Sequence, residues 1–582
     1  MSNSQFQREP ITIVRIDQPV CAHTFGAAPC AASGVPCYAT RATCRDVAAY
    51  ASGPGDAVSL YFGKAGGGRP SDAIHLMPFL SAVSTAPAKI NLSGADRNAN
   101  PLGTRGSATI RFIDAPHTDR VVDPYRATRD HDPLSRGTFW SKWVPRNKYA
   151  KVGVLVWIYH GYAGDALVDM VARAYVCESI DFTGGASISM KCRDMLIKAS
   201  DIAAQVPRLS PGSLFADVAE GALSIEVAEA VLTDYPATGT LRIGSEVMTY
   251  TAIVLNGSGR LDFTIAARAS DDTEPASHKA GDQVQECFRF DDEPIDDALE
   301  RLFLGFTTIA SEYLDLPGWE VEEADHLSAY RLEGLVTAPM ALKELLGEIA
   351  EQCQIFLWWD ERAQLVKMRA VRAVTEPPRV LDEHRHILED SVSIKEKPKE
   401  RVSQVWIYFD QIDPTGTLKA VENYRRVQAD TRLDLEAPEL YGEPAIRKIY
   451  ARFLRTRAVA LQTVSRILTR YQDVPIEAKF AVDAKDAGIE VGDMVRLNHF
   501  LFQDEAGAYS VRPWIVTSVE EAVPGERIVF TAEDASLSGV ISVVMADGSP
   551  DWVGDGSDQF DGAWISDALG LMPDGSPGAT IQ

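Results

Sequence analysis

The spacing of apolar and polar positions changes several times along this chain, and each change marks a unit. Residues 9–20, EPITIVRIDQPV, alternate through Ile11, Ile13 and Ile16, the period of a half-buried strand. Strand-length runs follow at 56–66, 74–92 and 107–115, and VGVLVWIY (Val152–Tyr159) is another. Between 170 and 200 the pattern predicts a strand, a Gly184-Gly185 turn, a second strand and a short helix from about Asp194. Many strands at short intervals with glycine turns predict a barrel or sandwich. The segment 129–147 reads as a long polar connection carrying Trp140 and Trp143. Pro207 and Pro211 mark a boundary, after which 212–288 hold four or five short strands.

At Asp291 the period becomes helical. Ile295, Ala298, Leu299, Leu302 and Phe303 form one stripe behind acidic residues and Pro294. A second helix follows Pro339, with Leu342, Leu345, Leu346, Ile349 and Cys353 on one face, and a hairpin turns at Asp360–Arg362. From Leu381 strands return. YRRVQADTRLDLE (424–436) is polar and reads as loop. The longest helical pattern covers 443–472, with Ile446, Ile449, Phe453, Ala460, Val464, Ile467 and Leu468 on its apolar face. The expected fold is mainly β with α+β parts, in several domains. These are an N-terminal strand and Cys-rich loop (1–50), a first β-barrel (51–207), a small inserted β-domain (208–288) and an α+β module (289–380). A second β-barrel with the long helix (381–535) and a C-terminal segment (536–582) complete the division.

Composition fits that reading: 582 residues, 46% hydrophobic and 24% charged, are enough for several cores. No apolar run approaches a membrane span, and MSNSQFQREP lacks a basic start followed by an apolar stretch, so folding in a reducing cytosol is expected. The net charge of −25 argues against a general binder of nucleic acid or anionic membrane.

Charge leaves the cysteines as the candidate chemistry. Four of the eight lie within Cys21–Cys44, at C-x8-C-x6-C-x6-C spacing, among Gly26, Pro29, Ser33, Gly34 and Pro36. Such a segment has little apolar surface to bury, and a metal or cluster held by four thiolates would fold it. Unrelated buried thiols and two local disulfides are the alternatives, the second disfavoured in a reducing compartment. The absence of C-x2-C knuckles leaves zinc and an iron–sulfur cluster both open. Cys177, Cys192, Cys287 and Cys353 read as buried thiols. There is no HExxH, GxSxG, Walker A or dinucleotide fingerprint. The pair His384 and His386 lacks companion ligands, and Asp551, Asp555 and Asp558 lack calcium-loop spacing.

The motif CAHTFGAAPCAASGVPCYATRATCRD at 21–46 resembles the Cys-rich segment of central tail hub (baseplate hub) proteins of siphophages and prophages. GTLRIGSEVMTYTAIV (239–254) with AGDQVQECF (280–288) is similar to a small β-unit of tail-tip proteins. The segments 338–371 and 488–497 are similar to modules shared by the lambda tail tip protein J and gene transfer agent hubs, and 562–582 looks like the end of such proteins. The resemblance implies paired hub barrels in a homotrimeric ring at the tail tip of the virion, made in the host cytoplasm. It implies links to a distal tail protein and to tip or fibre proteins, and a lumen through which the tape measure protein and DNA pass without specific nucleic-acid binding. By likeness to lambda protein L, it implies a [4Fe-4S] cluster on Cys21, Cys30, Cys37 and Cys44, with zinc as the alternative. A cell-wall hydrolase or an iron–sulfur oxidoreductase is the competing class.

Overall fold

The alternation at the N-terminus becomes the first stave of a barrel. The computed structural model describes residues 9–535 apart from 33–36, 53–55, 93–101, 119–136, 185, 372–378, 487, 504–505, 510 and 524–525. Strands β1 (Pro10–Pro19), β2 (Ala57–Lys64), β3 (Leu76–Ala86), β4 (Ser107–Ile113), β5 (Leu155–Tyr162), β6 (Val171–Thr183) and β7 (Ser187–Arg193) close in the order β1-β2-β3-β4-β7-β6-β5. Because β1 pairs with both β2 and β5, it is integral to the barrel, and a domain boundary at residue 50 falls inside that barrel. Val14, Ile16, Phe62, Ile110, Phe112, Ile158 and Met190 fill the interior from alternate positions.

The polar connection contains helix α1 (Phe139–Arg146), which the apolar pattern did not announce. Its cause is aromatic burial and a capping carboxylate. Asp114 accepts the Trp140 N–H at 2.7 Å and the Ser141 N–H at 3.2 Å, donors that have no partner within the first turn. Trp140 is fully buried against Phe62 and Phe112, with ring centroids 5.3 and 4.5 Å away, so α1 plugs the barrel. The expected helix near Asp194 is a 3-10 turn, Met195–Ser200.

After β8 (Gln205–Val206), the inserted unit comprises β9 (Ser213–Leu214), β10 (Ser224–Ala228), β11 (Gly239–Ile243), β12 (Glu246–Leu255), β13 (Leu261–Ala267) and β14 (Gln285–Glu286). They form one sheet in the order β14-β11-β12-β13-β10-β9 around Ile225, Val227, Leu241, Met248 and Phe263. Next, β15 (Phe288–Pro294) pairs with β16 (Arg331–Val336) across α2 (Ile295–Phe306) and α3 (Leu316–His326). The predicted stripe of α2 is its buried face. Helix α3 had no such stripe to reveal it, since Trp319 is its one buried residue. The chain returns to β8 through β17 (Met340–Ala341), then runs through α4 (Leu342–Cys353) into the hairpin β18 (Ile355–Asp360) and β19 (Leu365–Ala370).

The C-terminal third departs most from expectation. Its elements are β20 (Arg379–Asp382), β21 (Ser393–Glu396), β22 (Gln404–Gln411), β23 (Tyr424–Thr431), β24 (Ile446–Ala451), α5 (Arg457–Tyr471), β25 (Ile476–Asp483), β26 (Met494–Asn498), β27 (Arg512–Val523) and β28 (Arg527–Asp534). The continuous helix over 443–472 is therefore incorrect. IRKIYA buries alternate residues and pairs in parallel with β22, whose Val405, Ile407 and Phe409 supply the apolar neighbours. A long-range partner overrode helical spacing there, and only the second half is helix. The segment taken as loop contains β23, polar because it is an edge strand with a solvent face. The expected second barrel is instead a six-stranded sheet, β20-β26-β27-β28-β25-β21, beside the three-stranded sheet β23-β22-β24. The latter and α5 share one core with α2, α4, β6 and the hairpin β18–β19. Asp551, Asp555 and Asp558 lie outside the described residues.

Candidate metal centre

The cysteine loop leaves β1 and rejoins the barrel at β2. Backbone hydrogen bonds set its path: Val20 N–H to Asp56 O (3.0 Å), Cys21 N–H to Ala39 O (2.8 Å), Ala22 N–H to Ala51 O (2.8 Å) and Cys30 N–H to Ala27 O (2.8 Å). A 3-10 turn at Arg41–Thr43 packs on the barrel plug α1, and the Arg146 guanidinium of that helix lies 3.8 Å over the Tyr38 ring. Few of these contacts are apolar, consistent with a sequence of small residues and turn formers.

This path brings Cys21, Cys30, Cys37 and Cys44 to the wall of a single cavity, with His23, Phe25 and Tyr50 beside them. All four are half-buried thiols, whereas Cys177, Cys192, Cys287 and Cys353 are fully buried. The Ala39 N–H points at the Cys37 sulfur at 3.4 Å, and Ala39 itself has φ 57°, a left-handed turn that aims the amide inward. Amides directed at sulfur stabilise a thiolate. The Cys44 thiol donates to Asp46 O at 3.1 Å, and Asp46 Oδ2 accepts the Ala31 N–H at 3.1 Å, so one residue ties the turn after Cys30 to Cys44. Burial raises the Cys44 pKa, and the neighbouring sulfurs of Cys21 and Cys30 add to the rise. Among the described residues no group of three His, Cys, Asp or Glu side chains is arranged to hold a single metal ion. The four cysteines line one cavity of about 20 Å³.

Other candidates resolve structurally. His384 is exposed, and His386 Nδ1 accepts the Asp382 N–H at 3.1 Å inside a turn. A polar cleft of about 450 Å³ between the inserted unit and β22–β23 is lined by Asp271, Asp272, Glu333, Asp410, Arg425 and Arg455. Its charges pair with one another, Arg425 with Asp272 and Arg455 with Asp410, so the cleft joins units through ion pairs. Sequence reading missed a buried constellation in the inserted unit, Glu246 with Arg268 and His278. The signal was present: Glu246 occupies an inward position of β12, two residues before Met248, where alternation calls for an apolar side chain.

Fold and site together define a multidomain, mainly β protein with a thiol-lined loop at the root of its barrel. No protein-family model matches the chain, and no curated protein matches it. Among solved structures it is similar to a tail protein from Neisseria meningitidis MC58, at 9% identity over 78% of this chain and 97% of that one, with a TM-score of 0.37. It is also similar to the 43 kDa tail protein of prophage MuSo2 from Shewanella oneidensis, at 9% identity over 78% and 94% of the two chains, with a TM-score of 0.34. A chain of the native gene transfer agent virion is similar at 13% identity over 54% and 78%, with a TM-score of 0.28.

Proposed function

We propose that this chain is a structural protein of a long-tailed phage virion, the central hub of its tail tip. In this reading it forms a homotrimeric ring between the distal tail protein and the tip or fibre proteins, and the tape measure protein and DNA leave through its lumen. Cys21, Cys30, Cys37 and Cys44 hold a [4Fe-4S] cluster. The observation that carries the reading is the gathering of four thiols around one cavity by a loop with almost no core of its own. The motif at 21–46 supports assigning that loop to tail hubs.

The likeness of the 21–46 motif favours a cluster over zinc. One zinc ion with four sulfurs at 2.3 Å draws them to within about 3.8 Å of each other. The four sulfurs line one small cavity, and either group would fill it by drawing the loop around itself. When bound, the cluster cross-links the loop. The chain's own residues then fix where that loop sits, through Asp46 across its base and Tyr38 against α1. The role is mechanical, a staple at the root of the barrel, and not redox turnover or cell-wall hydrolysis.

Anaerobic purification should give a brown protein with a broad visible absorption band and matching iron and sulfide. Changing all four cysteines to Ser should abolish both and open residues 21–51 to protease while the barrel strands stay protected. Zinc without iron would remove the cluster. Absence of any metal, with unchanged protease resistance in the quadruple variant, would remove the centre. Light scattering tests the hub role: a chain that stays monomeric at every concentration and in assembled tails contradicts the ring.

A further inference from the structure

Cys177 on β6 and Cys192 on β7 stand directly opposite each other in the antiparallel ladder of the barrel. Neither belongs to the thiol set of the Cys21–Cys44 loop. The backbone fixes what kind of pair they form. The Cys177 N–H donates to Val154 O at 2.9 Å, and Cys177 O accepts the Gly153 N–H at 2.8 Å, both on the β5 side. A strand residue that directs both groups to one neighbour directs neither to the other. Cys177 and Cys192 are therefore a non-hydrogen-bonded pair, the closer of the two antiparallel pairings, with Cα atoms about 4.5 Å apart and side chains on one face. A disulfide accepts Cα separations of about 4.4–6.8 Å. The two sulfurs are close enough to interact, the Cys177 thiol donates to Ser179 O at 3.8 Å, and both residues are 1% exposed within the barrel core. Directly after Cys177 the register slips, leaving Glu178 unpaired in a bulge, so the ladder is weakest where the pair sits.

We propose that Cys177 and Cys192 are a redox staple, reduced in the cytosol and closed by a hydroperoxide into a cross-strand disulfide that stiffens the barrel. One sulfur attacks the peroxide O–O bond, giving a sulfenic acid, and its proton leaves with the departing oxygen as water. The second sulfur attacks the sulfenic sulfur, the S–O bond breaks, and hydroxide takes the second thiol proton to form another water. Two thiols lose two electrons, and one hydrogen peroxide becomes two waters. Its interaction with the Cys177 sulfur, and burial after it, raise the Cys192 pKa well above its ordinary value. Closure therefore waits on local opening at the bulge and is slow.

The test uses the full chain, treated with graded hydrogen peroxide, alkylated and digested without reductant. The expected product is a peptide linking Cys177 to Cys192, reversed by dithiothreitol, with a rise of several degrees in the melting temperature. Cys192→Ala should give neither. Peptide mapping of the unaltered chain decides the matter even where that variant folds poorly. Two outcomes overturn the staple: both cysteines recovered alkylated, or as unlinked sulfinic acids, at doses that oxidise methionine; or a linked product that melts lower than the reduced protein.

Discussion

Glu246→Ala is expected to destabilise the inserted β-unit strongly while the barrel strands keep their protection from hydrogen exchange. Glu246 is fully buried at the start of β12 and accepts from every side. Arg268 reaches it twice, Nε to Oε1 and Nη2 to Oε2, each at 2.7 Å. The Ala269 and Ala276 N–H groups donate at 3.1 and 3.0 Å, and His278 Nε2 lies 2.8 Å away. Arg268 in turn donates to the carbonyls of Ala219, Ala222 and Ala276, so one ion pair ties three loops to the sheet. Removing the carboxylate strands a guanidinium whose side chain is only 8% exposed. Breaking one partner of such a pair costs about 3–5 kcal/mol. A unit of this size has about 5–15 kcal/mol in total. Glu246→Gln should lose nearly as much, because its amide turns an N–H toward Arg268.

Acid should act at the same point. Burial alone would raise the Glu246 pKa, but Arg268, His278 and the two amides outweigh it and hold the group below its ordinary value. A depressed carboxylate contributes stability that is present above its unfolded pKa and lost as pH falls through the folded one. Exchange protection of 224–267 should therefore fall with acid in the wild type below about pH 4.3, the ordinary glutamate pKa. The Gln variant should lack that slope. Unchanged protection in Glu246→Ala would show the constellation to be incidental.

Local order was legible where the residues that decide a segment lie close in sequence. The α2 and α4 stripes and the β1 alternation could be read because period is a local property. What was hidden depends on distant partners. IRKIYA is helical by spacing until β22, some forty residues earlier, supplies a parallel neighbour. Helix α1 exists because Asp114 caps it and Phe112 receives Trp140. The polar face of β23 disguised an edge strand as loop. At the candidate site, sequence named the four thiols, but only the folded loop could place them on one cavity with Asp46 bracing it.

The contact between the barrel and the later units includes a residue that no motif marks, and Arg173→Met should loosen it on two sides at once. Arg173, on β6, places Nη1 2.9 Å from Glu361 in the β18–β19 turn and Nη2 3.2 Å from Glu521 on β27. The Tyr175 hydroxyl adds a hydrogen bond to the same Glu361 oxygen at 3.2 Å. All three charged side chains are 11–13% exposed. Burial works against the Arg173 charge, yet the two carboxylates more than offset it and raise its pKa. Methionine fills the stem but takes the guanidinium away from two largely buried carboxylates, a loss of about 3–5 kcal/mol shared between the interfaces. Nearby His160, beside Thr12 on β1, is pushed down to about 4 by burial, with Glu521 opposing and Arg173 assisting, so it stays neutral in the folded barrel. An unfolded histidine binds its proton near pH 6.5, so this group withdraws stability as pH falls from about 6.5 toward 4. Hydrogen exchange should show β27 and the β18–β19 hairpin losing protection in Arg173→Met while α1 and the barrel interior keep theirs. Combining Arg173→Met with Glu521→Gln should cost clearly less than the sum of the single changes, because the second removes the charge that the first strands. Strict additivity would mean that the ion pair is a bystander and that the other contacts, Lys89 with Glu477 and the Ile90 N–H with Thr517 O among them, join the units.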